Sequence, residues 1–125
     1  MTVGEFCLPL RVYIEDTDAG GIVYYVNYLK FMERARTEMM RSLGFGKNYI
    51  FNHDLMFVVT DVAVHYSRPA TLDDQLLATA RIQRLRGAEV LAAGEIGIAC
   101  VDRGGVKPRR LPADMAARLR ALQSA

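Results

Sequence analysis

The chain has 125 residues, 51% apolar and 24% charged, the profile of a single soluble globular domain over residues 1–125 with one core. Sixteen basic against fourteen acidic residues leave a formal charge of only +2, without the basic stripe of a nucleic-acid-binding protein. Cys7 and Cys100 are too few for a disulfide framework, lie outside any CxxC pair and sit in apolar strand-like contexts, so both read as reduced core residues.

The opening M-T-V-G-E-F-C-L-P-L has neither the basic n-region nor the sustained apolar h-region of a signal peptide. No stretch approaches the roughly 18 apolar residues that span a membrane, so a cytoplasmic protein is the expectation. Residues 6–14 predict a first strand, alternating Val12 and Ile14 against Arg11 and Tyr13; Pro9 makes it an edge strand or delays its start. A turn through Asp16, Asp18 and the Gly20-Gly21 pair follows. It leads into the longest amphipathic pattern in the chain. At helical spacing Tyr28, Phe31, Met32, Ala35, Met39 and Leu43 share one arc, with Lys30, Arg34, Thr37, Glu38 and Arg41 opposite. Gly44 supplies the stop, because glycine just past a helix takes the left-handed conformation without a Cβ penalty.

Residues 45–54 read as a polar and aromatic connection with a short helical turn around residues 48–51. Leu55–Tyr66 predicts a strand rich in β-branched residues, with Val58, Thr60, Val62, Val64 and Tyr66 on one face and Asp61, Ala63 and His65 on the other. Arg68-Pro69-Ala70 ends it and residues 71–74 form a loop. Residues 75–85 alternate as a further strand, with Leu76, Ala78, Ala80 and Ile82 facing one way. A tight Arg86-Gly87 turn joins it to a long strand over residues 88–101 that carries Val90, Ala92, Ile96, Ile98 and Cys100 on one face, an antiparallel hairpin. After a turn at residues 102–105 comes a short segment around 106–111. Pro112-Ala113-Asp114 then opens a C-terminal helix with Met115, Leu119 and Leu122 on one side. One long helix against an antiparallel sheet of about five strands is an α+β architecture. It leaves apolar strand surface that a dimer would bury.

A bare D-x-D is most often a turn, because aspartate bonds to nearby backbone amides. Here Asp18 lies two residues before a glycine pair that lets backbone approach a ligand, and the following helix offers unpaired N–H groups. An oxyanion on those amides gains hydrogen bonds and the helix dipole, and a carboxylate beside it can act as nucleophile or activate water. That combination suits acyl transfer.

The run Tyr13-x-x-Asp16-Thr17-Asp18-Ala19-Gly20-Gly21-x-Val23-Tyr24-Tyr25-x-Asn27-Tyr28-Leu29, followed by Glu33-x-Ala35-Arg36, resembles the signature of hotdog-fold acyl-CoA thioesterases. The group it resembles contains 4-hydroxybenzoyl-CoA thioesterase and the bacterial Tol–Pal-associated enzymes. The similarity continues through Tyr66-Ser67-Arg68-Pro69-Ala70-x-Leu72-Asp73-Asp74 and covers most of the chain.

The resemblance implies a hotdog fold, an antiparallel sheet wrapped around one long helix, and hydrolysis of an acyl-CoA without a cofactor or metal. It maps the catalytic carboxylate, nucleophile or general base, to Asp18 and the carbonyl-polarising backbone N–H to Tyr25. Gly20, Gly21 and Tyr24 are the expected substrate-contacting residues. It also implies homodimers through paired sheets, often homotetramers, with the site at the subunit boundary. Many Tol–Pal-associated members carry histidine where this chain has Tyr25, a change that keeps a backbone donor and removes an imidazole. The alternatives are a thioesterase acting on an acyl carrier protein docked on a basic surface, and a non-catalytic acyl-CoA-binding or interaction module, against which the retained Asp18 argues.

The remaining candidates read as structural. Glu33 and Arg36 form a helical ion pair. His53 and His65 lack ligand-like company, so no metal is expected. Arg81, Arg84, Arg86, Lys107, Arg109 and Arg110 are individually solvated charges that as a set could neutralise coenzyme A phosphates.

Overall fold

The computed structural model describes residues 6–124, so residues 1–5, on which the signal-peptide reading and the 1–125 domain boundary partly rest, lie outside it. The long helix, α1, spans Asn27–Ser42 because Tyr28, Phe31, Met32 and Ala35 recur at helical spacing and all bury, while Lys30, Arg34, Thr37 and Arg41 stay exposed. It ends as anticipated, with Gly44 at φ +95°. A short helix, α2, occupies Lys47–Asn52, and α3 occupies Ala113–Ser124.

Against α1 lies one antiparallel sheet of β1 (Leu8–Arg11), β2 (Leu55–Tyr66), β3 (Gln75–Ala78), β4 (Arg81–Arg84) and β5 (Val90–Asp102), in the order β1-β3-β4-β5-β2. β1 is an edge strand, where Pro9 pairs opposite Leu77 at no cost to an inner ladder. The other edge is β2, a strand of 12 residues that among the described residues pairs with β5 alone.

The single strand expected over residues 75–85 is instead two. The chain reverses at Thr79-Ala80, where the Thr79 N–H donates to the Arg81 carbonyl at 2.9 Å and the Arg81 N–H to Thr79 Oγ1 at 3.0 Å. The period-two pattern conceals this reversal for a geometric reason. Ala78 pairs opposite Ile82, and residues directly opposite share a sheet face, so the even-numbered residues stay inward on both sides of the turn. Ala80, expected inward, sits in the turn and is exposed.

The expected hairpin over residues 86–87 is present as the β4–β5 connection, closed by Arg84 N–H to the Glu89 carbonyl at 2.9 Å. In β2 the pairing shifts between Val59 and Asp61. This bulge flips the phase: Leu55 and Phe57 pack inward before it, Val64 after it, so the single alternation expected for the strand is broken. The segment around 106–111 meets β5 through a bridge of Pro108 to Val101, the Asp102 N–H donating to the Lys107 carbonyl at 2.8 Å and the Arg109 N–H to the Cys100 carbonyl at 3.0 Å.

The core forms two clusters. The first half of α1 packs Tyr28, Phe31, Met32 and Ala35 onto Leu76, Ala78, Ile82, Leu91 and Ala92 of the sheet. Beyond the helix end, Phe45, Leu55, Cys100 and Met115 join α2, α3 and the far ends of β2 and β5. Burial raises the thiol pKa of Cys100. The first cluster anchors the start of α1, and with it the loop that carries Asp18.

Candidate active site

Between β1 and α1 the chain makes a 3₁₀ turn at Ile14–Asp16 and then a tight loop. The two acids of the D-x-D divide the work. Asp16 holds the loop: its Oδ2 accepts the Tyr13 N–H at 2.8 Å, and its carbonyl accepts the Tyr24 N–H at 3.0 Å and the Asn27 side-chain amide at 2.8 Å. Thr17 pairs with Val23 across the loop, and the Asp18 N–H donates to the Ile22 carbonyl at 2.9 Å. Around the intervening turn Gly21 sits at φ +83°, a conformation that glycine reaches without strain.

Asp18 itself is exposed. Its Oδ1 accepts the Gly20 N–H at 2.7 Å, and among the described residues its Oδ2 makes no hydrogen bond. A Cβ added to Gly20 would lie 3.2 Å from Asp18 Oδ1, so the absent side chain leaves room for this contact.

Tyr24 and Tyr25 stand exposed at the entry to α1, with their ring centroids 5.0 Å apart. Tyr25 lies just before the N-cap Val26 of α1, and its N–H makes no hydrogen bond among the described residues. Its carbonyl accepts the Tyr66 hydroxyl at 3.1 Å. Tyr66, at the end of β2, also sets its ring edge-on to Tyr25 and Tyr28, at centroid distances of 6.1 and 5.3 Å. Burial, and after it the neighbouring phenols of Tyr25 and Tyr28, push its pKa above the usual tyrosine value.

The two sequence runs that carried the resemblance lie side by side. The Val23 N–H donates to the Ala70 carbonyl at 2.8 Å, Ile22 bridges Thr71, and the Ala70 N–H donates to the buried Tyr28 hydroxyl at 2.9 Å. The same loop is braced by Asp74, whose Oδ2 accepts the Thr71 N–H at 2.9 Å and Arg84 Nη1 at 2.8 Å. Burial pushes the Asp74 pKa up, but these donors outweigh it and the net shift is downward.

Asp18, Gly20, Gly21, Tyr24 and Tyr25 therefore share one loop and helix start. Other candidates lie elsewhere. The ion pair on α1 is Glu38–Arg41, not Glu33–Arg36. His53 stacks on the Tyr49 ring at 4.0 Å. Arg84 is committed to Asp74 and Glu89, and Arg109 to Asp102 and the His53 carbonyl, so the basic set contains residues that brace loops. Tyr66, Asn27 and Asp74 were given no role by sequence reasoning, although all three stand within the resembling runs. Their partners are 41, 11 and 10 residues away, a distance that no local pattern reports.

A half-enclosed apolar cavity of about 240 Å³ lies between the middle of α1 and β5, lined by Met32, Ala35, Arg36, Met39, Ile96 and Ile98 among others. Arg36 thus faces a cavity and not the acid three positions before it.

The model of the thioesterase superfamily matches residues 20–96. The chain is 39% identical over 125 residues to the acyl-CoA thioesterase YbgC of Haemophilus influenzae, covering 90% of this chain and 92% of that protein. It is likewise 39% identical over 130 residues to the acyl-CoA thioester hydrolase YbgC of Escherichia coli O6:H1, covering 94% and 97%. Among solved structures, a probable thioesterase from Bartonella henselae superposes with a TM-score of 0.74 at 33% identity, covering 85% of this chain and 98% of that one. A 1,4-dihydroxy-2-naphthoyl-CoA thioesterase from Synechocystis superposes with a TM-score of 0.81 at 22% identity, covering 94% and 97%, and shows the shared hotdog fold alone.

Proposed function

We propose that this chain, which belongs to the thioesterase superfamily, hydrolyses acyl-CoA thioesters to the free acid and coenzyme A. The observation that carries the site is a pairing of free groups. Asp18 keeps one carboxylate oxygen on the Gly20 N–H and the other unbonded, and the nearby start of α1 presents the Tyr25 N–H unbonded.

In this reading the thioester oxygen accepts the Tyr25 N–H, which together with the helix dipole stabilises the charge that develops there. The unbonded Asp18 oxygen attacks the acyl carbon, giving an anhydride that water opens, or it takes a proton from the attacking water. Either way the carbon–sulfur bond breaks and coenzyme A leaves. Gly20 fixes the carboxylate, Gly21 shapes the turn, and Tyr24 flanks the entering substrate. The acyl tail runs along α1 into the apolar cavity, whose first lining residue on the helix, Met32, lies seven residues beyond Tyr25, about 10 Å along the axis.

The unpaired edge of β2 supports association with a second copy. Its exposed Val59 and Val62 would otherwise face water on a long open strand. Among the described residues no helix is long and apolar enough to cross a membrane.

The test is thiol release from short aliphatic, long aliphatic and aromatic acyl-CoAs by wild type and Asp18→Asn in parallel. Hydrolysis by wild type that disappears in a folded Asp18→Asn protein is the expected result. Equal hydrolysis by both, or none by wild type, sinks the reading.

A further inference from the structure

We propose that Tyr66 is a positioning residue for the reaction: by holding the Tyr25 carbonyl, its hydroxyl fixes the orientation in which the Tyr25 N–H meets the thioester oxygen. The inference rests on the proposed role of that amide. Its basis is the way α1 begins. Tyr25 stands one residue before the N-cap Val26, where only a further helical residue would bond its carbonyl to the Leu29 N–H four residues on. Here the Leu29 N–H turns instead to the Val26 carbonyl at 3.1 Å, and the Tyr25 carbonyl is met from outside the helix by Tyr66 at 3.1 Å. The residue that offers the free amide is thus detached from the helical ladder and tied by its other end to the sheet.

Among the described residues no other group bonds the Tyr25 backbone. The Tyr24 N–H is held by the Asp16 carbonyl and the Asn27 N–H by the Tyr24 carbonyl, so the backbone is fixed just before and just after Tyr25. At Tyr25 itself, among the described residues, the hydroxyl of Tyr66 supplies the one backbone hydrogen bond, and the rings of Tyr24 and Tyr66 supply the packing. Tyr66 can serve as a fixed post because it ends β2 and packs against buried Tyr28, whose own hydroxyl is bonded to Ala70. A donor displaced by a fraction of an ångström loses much of its value in the transition state while still admitting the substrate. Loss of the Tyr66 hydroxyl therefore acts on turnover and not on binding.

Tyr66→Phe keeps the ring contacts and removes only the hydroxyl. The expected result is a kcat lower by about ten- to a hundredfold, short of the roughly 10²–10³-fold cost of deleting a direct oxyanion donor, with KM within about twofold. A second measurement reads the amide directly. Decanoyl-CoA labelled with carbon-13 at the thioester carbonyl is bound to Asp18→Asn, and its C=O stretch is recorded by difference infrared spectroscopy. The stretch should fall relative to free decanoyl-CoA, and the fall should shrink in Asp18→Asn/Tyr66→Phe.

A carbonyl shift unchanged by the second substitution overturns the role of Tyr66. So does a Tyr66→Phe enzyme with a raised KM and wild-type kcat. No shift in Asp18→Asn alone, or full hydrolysis by it, overturns instead the reading of the site. Should Tyr66→Phe lower the melting temperature, the carbonyl shift is recorded on the folded protein below that transition.

Discussion

The buried hydroxyl of Tyr28 accepts the Ala70 N–H at 2.9 Å, tying the start of α1 to the loop after β2 across 42 residues of chain. Both partners are shielded, with Tyr28 3% and Ala70 0% exposed. Tyr28→Phe keeps the ring and removes the acceptor, leaving a buried N–H without a partner. Such a group costs about 1–3 kcal/mol, so urea unfolding should show a lower midpoint at an unchanged slope. An unchanged midpoint would mean that water replaces the hydroxyl.

The two acids of the loop should separate cleanly in a paired experiment. Asp16→Ala strips the acceptor from the Tyr13 N–H, a local capping contact of roughly 1 kcal/mol, and should lower the melting temperature. Asp18→Ala removes an exposed carboxylate whose one bond is to Gly20 two residues on, and should leave the melting temperature almost unmoved while abolishing turnover. Reversed effects would exchange the roles of the two residues.

The glycines beside Asp18 predict a second dissociation of stability from activity. Gly21 sits at φ +83° with open space around it, so Gly21→Ala costs about 1–2 kcal/mol through backbone strain alone. Gly20→Ala meets no such strain but brings a methyl 3.2 Å from Asp18 Oδ1, closer than the carboxylate tolerates without shifting. Thermal melts should register Gly21→Ala more strongly, and kcat should register Gly20→Ala more strongly.

What the sequence revealed and what it concealed follows from the range of each interaction. The α1 pattern, the Gly44 stop and the edge position of Pro9 depend on neighbours within a few residues, and all were legible. The turn at Thr79-Ala80 was not, because antiparallel pairing of Ala78 with Ile82 keeps the alternation in phase through the reversal. The bulge in β2 was hidden for the complementary reason: it is a property of the pairing with β5, not of the strand. At the site, Asp18 and the glycine turn stood out locally. The Tyr66–Tyr25 bond spans 41 residues and required the fold.

Tyr49 gives the alkaline side of the stability profile. Its phenol is pushed up to about 12, first by burial and then by the hydrogen bond from its hydroxyl to Asp114 Oδ1 at 2.7 Å. The folded pKa lies above the unfolded value of about 10, so the native state holds this proton more tightly. The contribution is fully present below about pH 10 and is lost as pH rises toward 12. Tyrosinate absorbance should lose its latest-titrating phenol in Tyr49→Phe while the raised Tyr66 phenol remains, and the variant's stability should fall less steeply over that interval. Unaltered absorbance titration in Tyr49→Phe would assign the late phenol elsewhere.

The cavity beside α1 makes chain-length preference a testable consequence of the proposed acyl path. Ile98 lines it from β5 and is 38% exposed, so a larger side chain there can fill the space without entering the core. Ile98→Trp should leave short acyl-CoAs unaffected, because their tails end before Met32. For long chains each excluded methylene forfeits about 0.8 kcal/mol of burial, roughly a fourfold rise in KM. Steady-state kinetics across a series of saturated acyl-CoAs should therefore show wild type and variant diverging with chain length. Parallel curves at every length would place the acyl tail outside this cavity, while leaving Asp18 and Tyr25 to be judged by turnover of the shortest substrates.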